Sequence, residues 1–241
     1  MGGRTTAVRA PIACVALAVV TGAGSGIGRA TALELGRRGL DVVLVGRTER
    51  SLRETADRAP VGARTRVLVA DISRESDVER VARRTLAEVG TPRVVINNAG
   101  VAGRKARIED LSADDWDAVM GPNLRGVFLV TRAFLPSMRE AGVGRFVTIA
   151  SISATLGSPG LAPYSASKWG AVGFTKSLAE ELRGSGVQAL SVLPGSVDTP
   201  MVKVGGFVPQ MAPEDVARVV AFAAIDAPDA MNGSAIDCFG P

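Results

Sequence analysis

Short, nearly all-apolar runs alternate with longer amphipathic stretches from one end of the chain to the other. The apolar runs are Val15–Val20, Val42–Val45, Val67–Val69, Val94–Ile96, Phe146–Ile149, Ala189–Val192 and a last one at Ser234–Asp237. They are rich in β-branched residues and lack the in–out alternation of a strand with one wet face. They therefore predict strands covered on both faces. Between them, helical spacing of apolar positions marks Gly28–Arg38, Asp77–Val89, Asp114–Ala141, Ser165–Arg183 and Pro213–Ala224. Strand–helix alternation implies parallel pairing through right-handed crossovers, hence an α/β fold: a doubly wound parallel sheet with helices on both faces. No linker, repeat or low-complexity tract divides the chain. Residues 1–13 read as a flexible tail and 14–241 as a single domain.

Composition narrows the function. With 46% hydrophobic residues in 241, the chain can bury a large core and is not of disordered type. The net charge of +4 raises nucleic acid as a partner. Yet arginines are interleaved with acids, as in Glu79 to Glu88, and no basic stripe with aromatics exists, so the charge reads as solvated helix faces. Cys14 and Cys238 give neither a disulfide framework nor a metal spacing, which fits a reducing cytoplasm and no metal. Arg4 and Arg9 ahead of the apolar run Ile12 to Val20 have the look of a signal peptide. That run leads straight into Thr21-Gly22-Ala23-Gly24-Ser25-Gly26-Ile27-Gly28, and a buried strand feeding a phosphate-binding turn explains it better. No segment reaches the ~18 uninterrupted apolar residues of a membrane span.

Candidate chemistry centres on the chain's single tyrosine, Tyr164, in Tyr164-Ser165-Ala166-Ser167-Lys168; there is no histidine. Residues four apart share a helix face, so the phenol and the Lys168 ammonium can enter one site. A nearby cation lowers a phenol's pKa from its usual ~10, making the pair a plausible acid–base device near neutral pH. Taken alone, a Tyr-x-x-x-Lys pattern is more often an ordinary helix surface.

The glycines at 22, 26 and 28 follow the first strand and open a helix, the place where a Rossmann-type sheet holds a diphosphate at a helix N-terminus. The second strand ends in Gly46-Arg47 with no carboxylate at its tip; Asp41 lies at the wrong end. An arginine there suits the 2′-phosphate of NADP(H) over NAD(H), although NAD(H) remains possible and Ser25 supplies no second cation.

These residues resemble the short-chain dehydrogenase/reductase family, over residues 15–240, and within it the 3-oxoacyl-ACP reductase-like members. The matching segments are the glycine turn, Asn97-Asn98-Ala99-Gly100, Asn123 in Pro122-Asn123-Leu124, Ser151 thirteen residues before Tyr164, the Tyr164/Lys168 pair, and Pro194-Gly195 with Thr199. The resemblance implies roles. Tyr164 would be the general acid or base. Lys168 would lower its pKa and bond the nicotinamide ribose, and Ser151 would bond the substrate oxygen. Asn123 would hold a water leading from Lys168 to solvent. Thr21, Gly22, Gly24, Ser25, Gly26, Ile27 and Gly28 would cradle the cofactor. Asp71 and Ile72 would meet adenine, Asn98, Ala99 and Gly100 would line the cofactor, and Pro194, Gly195, Val197 and Thr199 would meet the nicotinamide. It also implies a homo-oligomer, tetramer or dimer. Two departures stand out: a short, glycine-containing stretch from Met201 to Met211 (Val204-Gly205-Gly206-Phe207) where the family builds its substrate lid, and the ending Ile236-Asp237-Cys238-Phe239-Gly240-Pro241. The expected protein is a cytoplasmic NADP(H)-dependent oxidoreductase interconverting a small ketone and a secondary alcohol. The alternative is a dinucleotide-binding regulator without turnover, which would have no need for a proton relay.

Overall fold

The computed structural model describes residues 16–205 and 208–240. The predicted tail, Cys14, Val15, the Gly206-Phe207 pair and Pro241 lie outside the described residues. Seven strands form one sheet: β1 (Leu17–Thr21), β2 (Asp41–Gly46), β3 (Thr65–Val69), β4 (Val94–Asn97), β5 (Gly144–Ile149), β6 (Val187–Pro194) and β7 (Ala235–Cys238). Their order is β3-β2-β1-β4-β5-β6-β7, and every neighbouring pair is parallel. The helices are α1 (Gly26–Arg37), α2 (Glu49–Asp57), α3 (Glu75–Glu88), α4 (Ala113–Met120), α5 (Gly126–Glu140), α6 (Ala162–Glu181), α7 (Pro200–Gly205) and α8 (Pro213–Ala221).

The uniformly apolar strands bury both faces, each against its own core. Val20, Leu44, Ile96 and Val192 pack with Leu35 of α1, Leu52 of α2 and Val216 and Val220 of α8. Val19, Val43, Val95 and Phe146 point the other way, onto Val81 of α3, Leu129 and Phe134 of α5 and Leu178 of α6. The expectation of two covered faces fails at the sheet edges. β3 leaves Arg66 and Val69 exposed, and β7 alternates exposed and half-buried positions, because each has a neighbour on one side only.

The predicted helix Asp114–Ala141 is one axis broken in the middle. α4 starts on a Ser112/Asp115 capping box, and a π-turn over Gly121–Arg125 joins it to α5. Pro122 has no N–H to give the preceding turn, so the ladder cannot run through it unbroken. This widening carries Asn123 into the interior, where it is 1% exposed.

The chain winds outward from β1 to β3, returns to β4 beside β1, and winds the other way to β7. A crevice opens where the winding reverses, beyond the carboxyl ends of β1 and β4. Thr21 closes its floor. Its hydroxyl donates to Ile96 O (3.1 Å) and accepts from the amides of Asn98 (3.0 Å) and Ala99 (3.1 Å).

Candidate active site

A cleft of about 530 Å³ lies over this crevice. Of the predicted cofactor residues, Gly22, Gly24, Ser25, Gly26, Ile27, Gly28, Arg47, Asp71, Ile72, Asn98, Ala99, Gly100, Tyr164, Lys168 and Thr199 line it. Thr21, Pro194, Gly195 and Val197 are not among the lining residues. The Thr21 side chain is consumed by the stitch between β1 and β4, and Val197 is 2% exposed in the core, bridged to Met211. The reading by motif missed Thr48, Ser51, Ser73, Val101, Asp117 and Met201, which also line it. Pattern alone gives no signal for them, because each arrives from a loop or helix whose direction only the fold sets.

The glycine turn is shaped by its neighbours as well as by any ligand. A Cβ at Gly28 would fall 2.2 Å from Gly22 O and 2.4 Å from Asn98 Nδ2, so α1 can approach β1 this closely only with glycine there. Asn98 Nδ2 donates to Thr21 O (2.8 Å), locking the turn to the segment after β4. Arg29 ties the same turn to α2 through Gly24 O and Glu54. The start of α1 suits an anion: Ser25 makes no side-chain cap, and the first turn holds no acidic residue. The residues present therefore fit a dinucleotide with its diphosphate on the α1 amides.

At the end of β2, Arg47 is exposed and, among the described residues, has no ion pair. Asp71, from the end of β3, brings a carboxylate into its field, which the strand-tip argument did not foresee. Burial pushes the Asp71 carboxyl up, but bonds from the Ser73 amide (3.0 Å) and hydroxyl (2.7 Å), with Arg47 and Arg74 nearby, leave it below the usual range.

On the other side, α6 presents Tyr164 and Lys168 to the cleft one turn apart. The Ser151 hydroxyl donates to the Tyr164 phenol oxygen, which acts to lower the phenol's pKa, while its Oγ accepts from the Ser153 amide (3.1 Å). Lys168 is 6% exposed and donates to Ile149 O (2.8 Å), with Nζ 5.7 Å from the Tyr164 ring centroid. Burial lowers its ammonium to about 8. The lowered phenol expected from the Tyr/Lys pair is not a property of this state. Burial pushes the Tyr164 phenol up and the Ser151 bond offsets only part, because the ammonium is turned to a backbone carbonyl.

Asn123 pairs with Val101 as a strand would: Oδ1 accepts from Val101 N (2.8 Å) and Nδ2 donates to Val101 O (2.9 Å). A Cβ on Gly100 would lie 2.9 Å from Asn123 Oδ1 and 3.7 Å from Lys168 Nζ, so this glycine keeps the gap between the two open. Among the described residues no group of His, Cys, Asp and Glu is placed to hold a metal, and no helix is long and apolar enough to cross a membrane.

A model of the short chain dehydrogenase family matches residues 16–205. A 3-oxoacyl-[acyl-carrier-protein] reductase of Synechocystis is 36% identical, covering 87% of this chain and 89% of its own. A (3R)-3-hydroxyacyl-CoA dehydrogenase of dog is 36% identical, covering 93% and 95%. The crystal structure of a 3-ketoacyl-(acyl-carrier-protein) reductase from Brucella melitensis, complexed with NADH, superposes with a TM-score of 0.87 at 30% identity, covering 93% of this chain and 97% of that one.

Proposed function

The chain belongs to the short-chain dehydrogenase family of NAD(P)-dependent oxidoreductases that interconvert ketones and alcohols, and on that premise we propose that it prefers NADP(H) and uses Tyr164 as its general acid and base. The observation that carries this is the presence of Tyr164 and Lys168 on one wall of the cleft, with Ser151 hydrogen-bonded to the phenol from behind the lining, while the opposite end bears Arg47. When bound, the nicotinamide gives or takes the hydride, and the protein supplies position and proton.

The residues divide the work by their chemistry. The Ser151 hydroxyl, its oxygen already tied to the Ser153 amide, donates to the substrate oxygen where negative charge develops. Tyr164 delivers the proton to that oxygen in reduction and removes it in oxidation. The Lys168 cation favours the phenolate and so counters the burial that raises the phenol. Asn123 fixes the Val101 loop beside the reacting position and, next to Lys168 across Gly100, leads the proton return to solvent. At the far end, Arg47 pairs with the 2′-phosphate, and Asp71 and Ile72 border the adenine.

The substrate class is a ketone or secondary alcohol of modest size, 3-oxoacyl thioesters foremost, as the names of the relatives suggest. We place the protein in the cytoplasm, as a homo-oligomer joined across α4, α5 and α6. There Phe128 is 43% and Trp169 54% exposed, more apolar surface than a lone subunit leaves in water without reason. The deciding experiment is a panel of 3-oxoacyl thioesters, simple ketones and sugars read by loss of NADPH absorbance. Activity on none of them, with NADPH bound, would favour a regulator instead.

A further inference from the structure

Ser167 sits inside the helix that carries the reactive pair, and the roles assigned above leave it without one. It is wholly buried, at 0% exposure. Its hydroxyl donates to Tyr164 O (2.7 Å) and accepts from Asn123 Nδ2 (3.0 Å). A helical serine often turns back onto a carbonyl of its own helix, so the first bond alone would be unremarkable. The second is different, because it joins α6 to the π-turn forty-four residues earlier.

The donor count on Asn123 shows what that bond does. An asparagine amide has two N–H donors and one carbonyl acceptor. One donor and the acceptor are taken by Val101 O and N; the remaining donor goes to Ser167. The Val101 pair keeps the amide from flipping end for end, since a flipped amide would set N–H against Val101 N and Oδ1 against Val101 O, and Ser167 receives the donor that remains. The Ser167 hydroxyl also has a fixed direction, because its own proton is spent on Tyr164 O and only its lone pairs face Asn123. It thereby adds a third anchor to the orientation that the Val101 pair sets, with Oδ1 beside the Gly100 gap.

We propose that Ser167 is a positioning residue for the proton path: together with Val101 it holds the Asn123 amide beside the Gly100 gap that separates it from Lys168, and so keeps the Val101 loop closed. The inference rests on the reading of Tyr164, Lys168 and Asn123 as the proton-transfer set. Ser167→Ala removes one acceptor and leaves a buried N–H unpaired, whereas Ser167→Thr keeps the hydroxyl.

Two measurements test it. The first needs neither cofactor nor substrate. The chain has four asparagines, at 97, 98, 123 and 232, so ¹⁵N-asparagine labelling gives four side-chain amide pairs, with Asn123 assigned by its loss in Asn123→Ser. In Ser167→Ala the Asn123 amide protons should exchange with solvent about tenfold faster or more than in the parent, with Asn97 unchanged and Ser167→Thr restoring protection. Equal protection in parent and Ala variant would overturn the proposal. The second is the pH–rate profile with NADPH and a reducible ketone. Ser167→Ala should lower kcat and shift the profile, leave KM for NADPH in place, and be rescued by threonine. A loss of rate that follows thermal stability with no change in profile would assign Ser167 to structure alone and overturn it. If the parent reduces no ketone, the functional reading fails, while the exchange experiment still decides whether Ser167 helps to hold Asn123.

Discussion

At the Tyr164 end of the cleft, Asn123, Ser151, Ser167 and Lys168 each hold a partner within the chain and are at most 8% exposed. At the Arg47 end, Arg47 and Thr48 face solvent, and Thr48 stands before α2 without capping it by a side-chain bond. The first end is preorganised: its groups paid their ordering cost on folding, and low local dielectric strengthens each interaction. The second is a rim of charge in water, where each contact is weaker and screened by salt. Substitutions at the buried end should therefore act on rate by orders of magnitude, and those at the rim on cofactor preference by modest factors.

The strongest break is Tyr164→Phe. It keeps the ring and removes the proton, so turnover should fall by at least ~10²–10⁴-fold while NADPH affinity, measured by fluorescence quenching, stays within about twofold. A variant that reduced a genuine substrate near the parent rate would remove Tyr164 from the mechanism, and no other tyrosine or histidine is present to replace it. Ser151→Ala should also slow turnover, by roughly 10²-fold, through the lost hydrogen bond to the substrate oxygen.

Lys168 sharpens the contrast through pH. Its folded value of about 8 lies below its usual one, so the free protein holds the cation below about pH 8 and loses it as pH rises through that value. A cofactor that needs the ammonium should bind with proton uptake above pH 8, its apparent Kd weakening by up to about tenfold per pH unit there. Calorimetry in two buffers of different ionisation enthalpy measures that uptake. Lys168→Met should remove it and slow turnover too.

At the rim the effects shrink. Arg47→Asp should turn an NADPH preference of about tenfold into an NADH preference, the low end of a charge-assisted contact because Arg47 is exposed. Equal dissociation constants for both cofactors in the parent would withdraw Arg47 from the role. Asp71→Asn frees Arg47 from a neighbouring negative charge and should improve NADPH over NADH about two- to fivefold, with the gain vanishing at high salt. No gain at low salt would mean that Asp71 and Arg47 do not share the site.

The strands were legible because a sheet covered on both faces needs unbroken apolar runs, and Val42–Val45 or Phe146–Ile149 can hardly be anything else. α2 was not legible: only Leu52 and Thr55 are buried, too few positions to show a helical stripe. The π-turn hid inside a helical pattern that continues on both sides of Pro122. At the site, spacing brought out Tyr164 and Lys168, and the family resemblance brought out Ser151 and Asn123. Neither could show that Lys168 faces Ile149 O, that Asp71 enters Arg47's field, or that Ser167 reaches Asn123. Those depend on how far apart the loops of separate βα units end up, which no local pattern encodes.

The Thr21 stitch also constrains how the molecule is made. Its hydroxyl reaches residues 75 to 78 positions later, so its partners in the fold do not exist until β4 has been synthesised. When β1, β2 and β3 have left the ribosome, β1 is a bare edge of Leu17 to Thr21, five buried apolar-rich positions with an unpaired ladder on one side. At roughly 5–20 residues per second, β4 follows β3 by a few seconds. For that interval the nascent chain presents an edge of the kind that pairs with other chains, and the nucleotide crevice does not yet exist. Binding of a dinucleotide therefore cannot assist the early half of folding; it can only reward a chain that has already closed β1 onto β4.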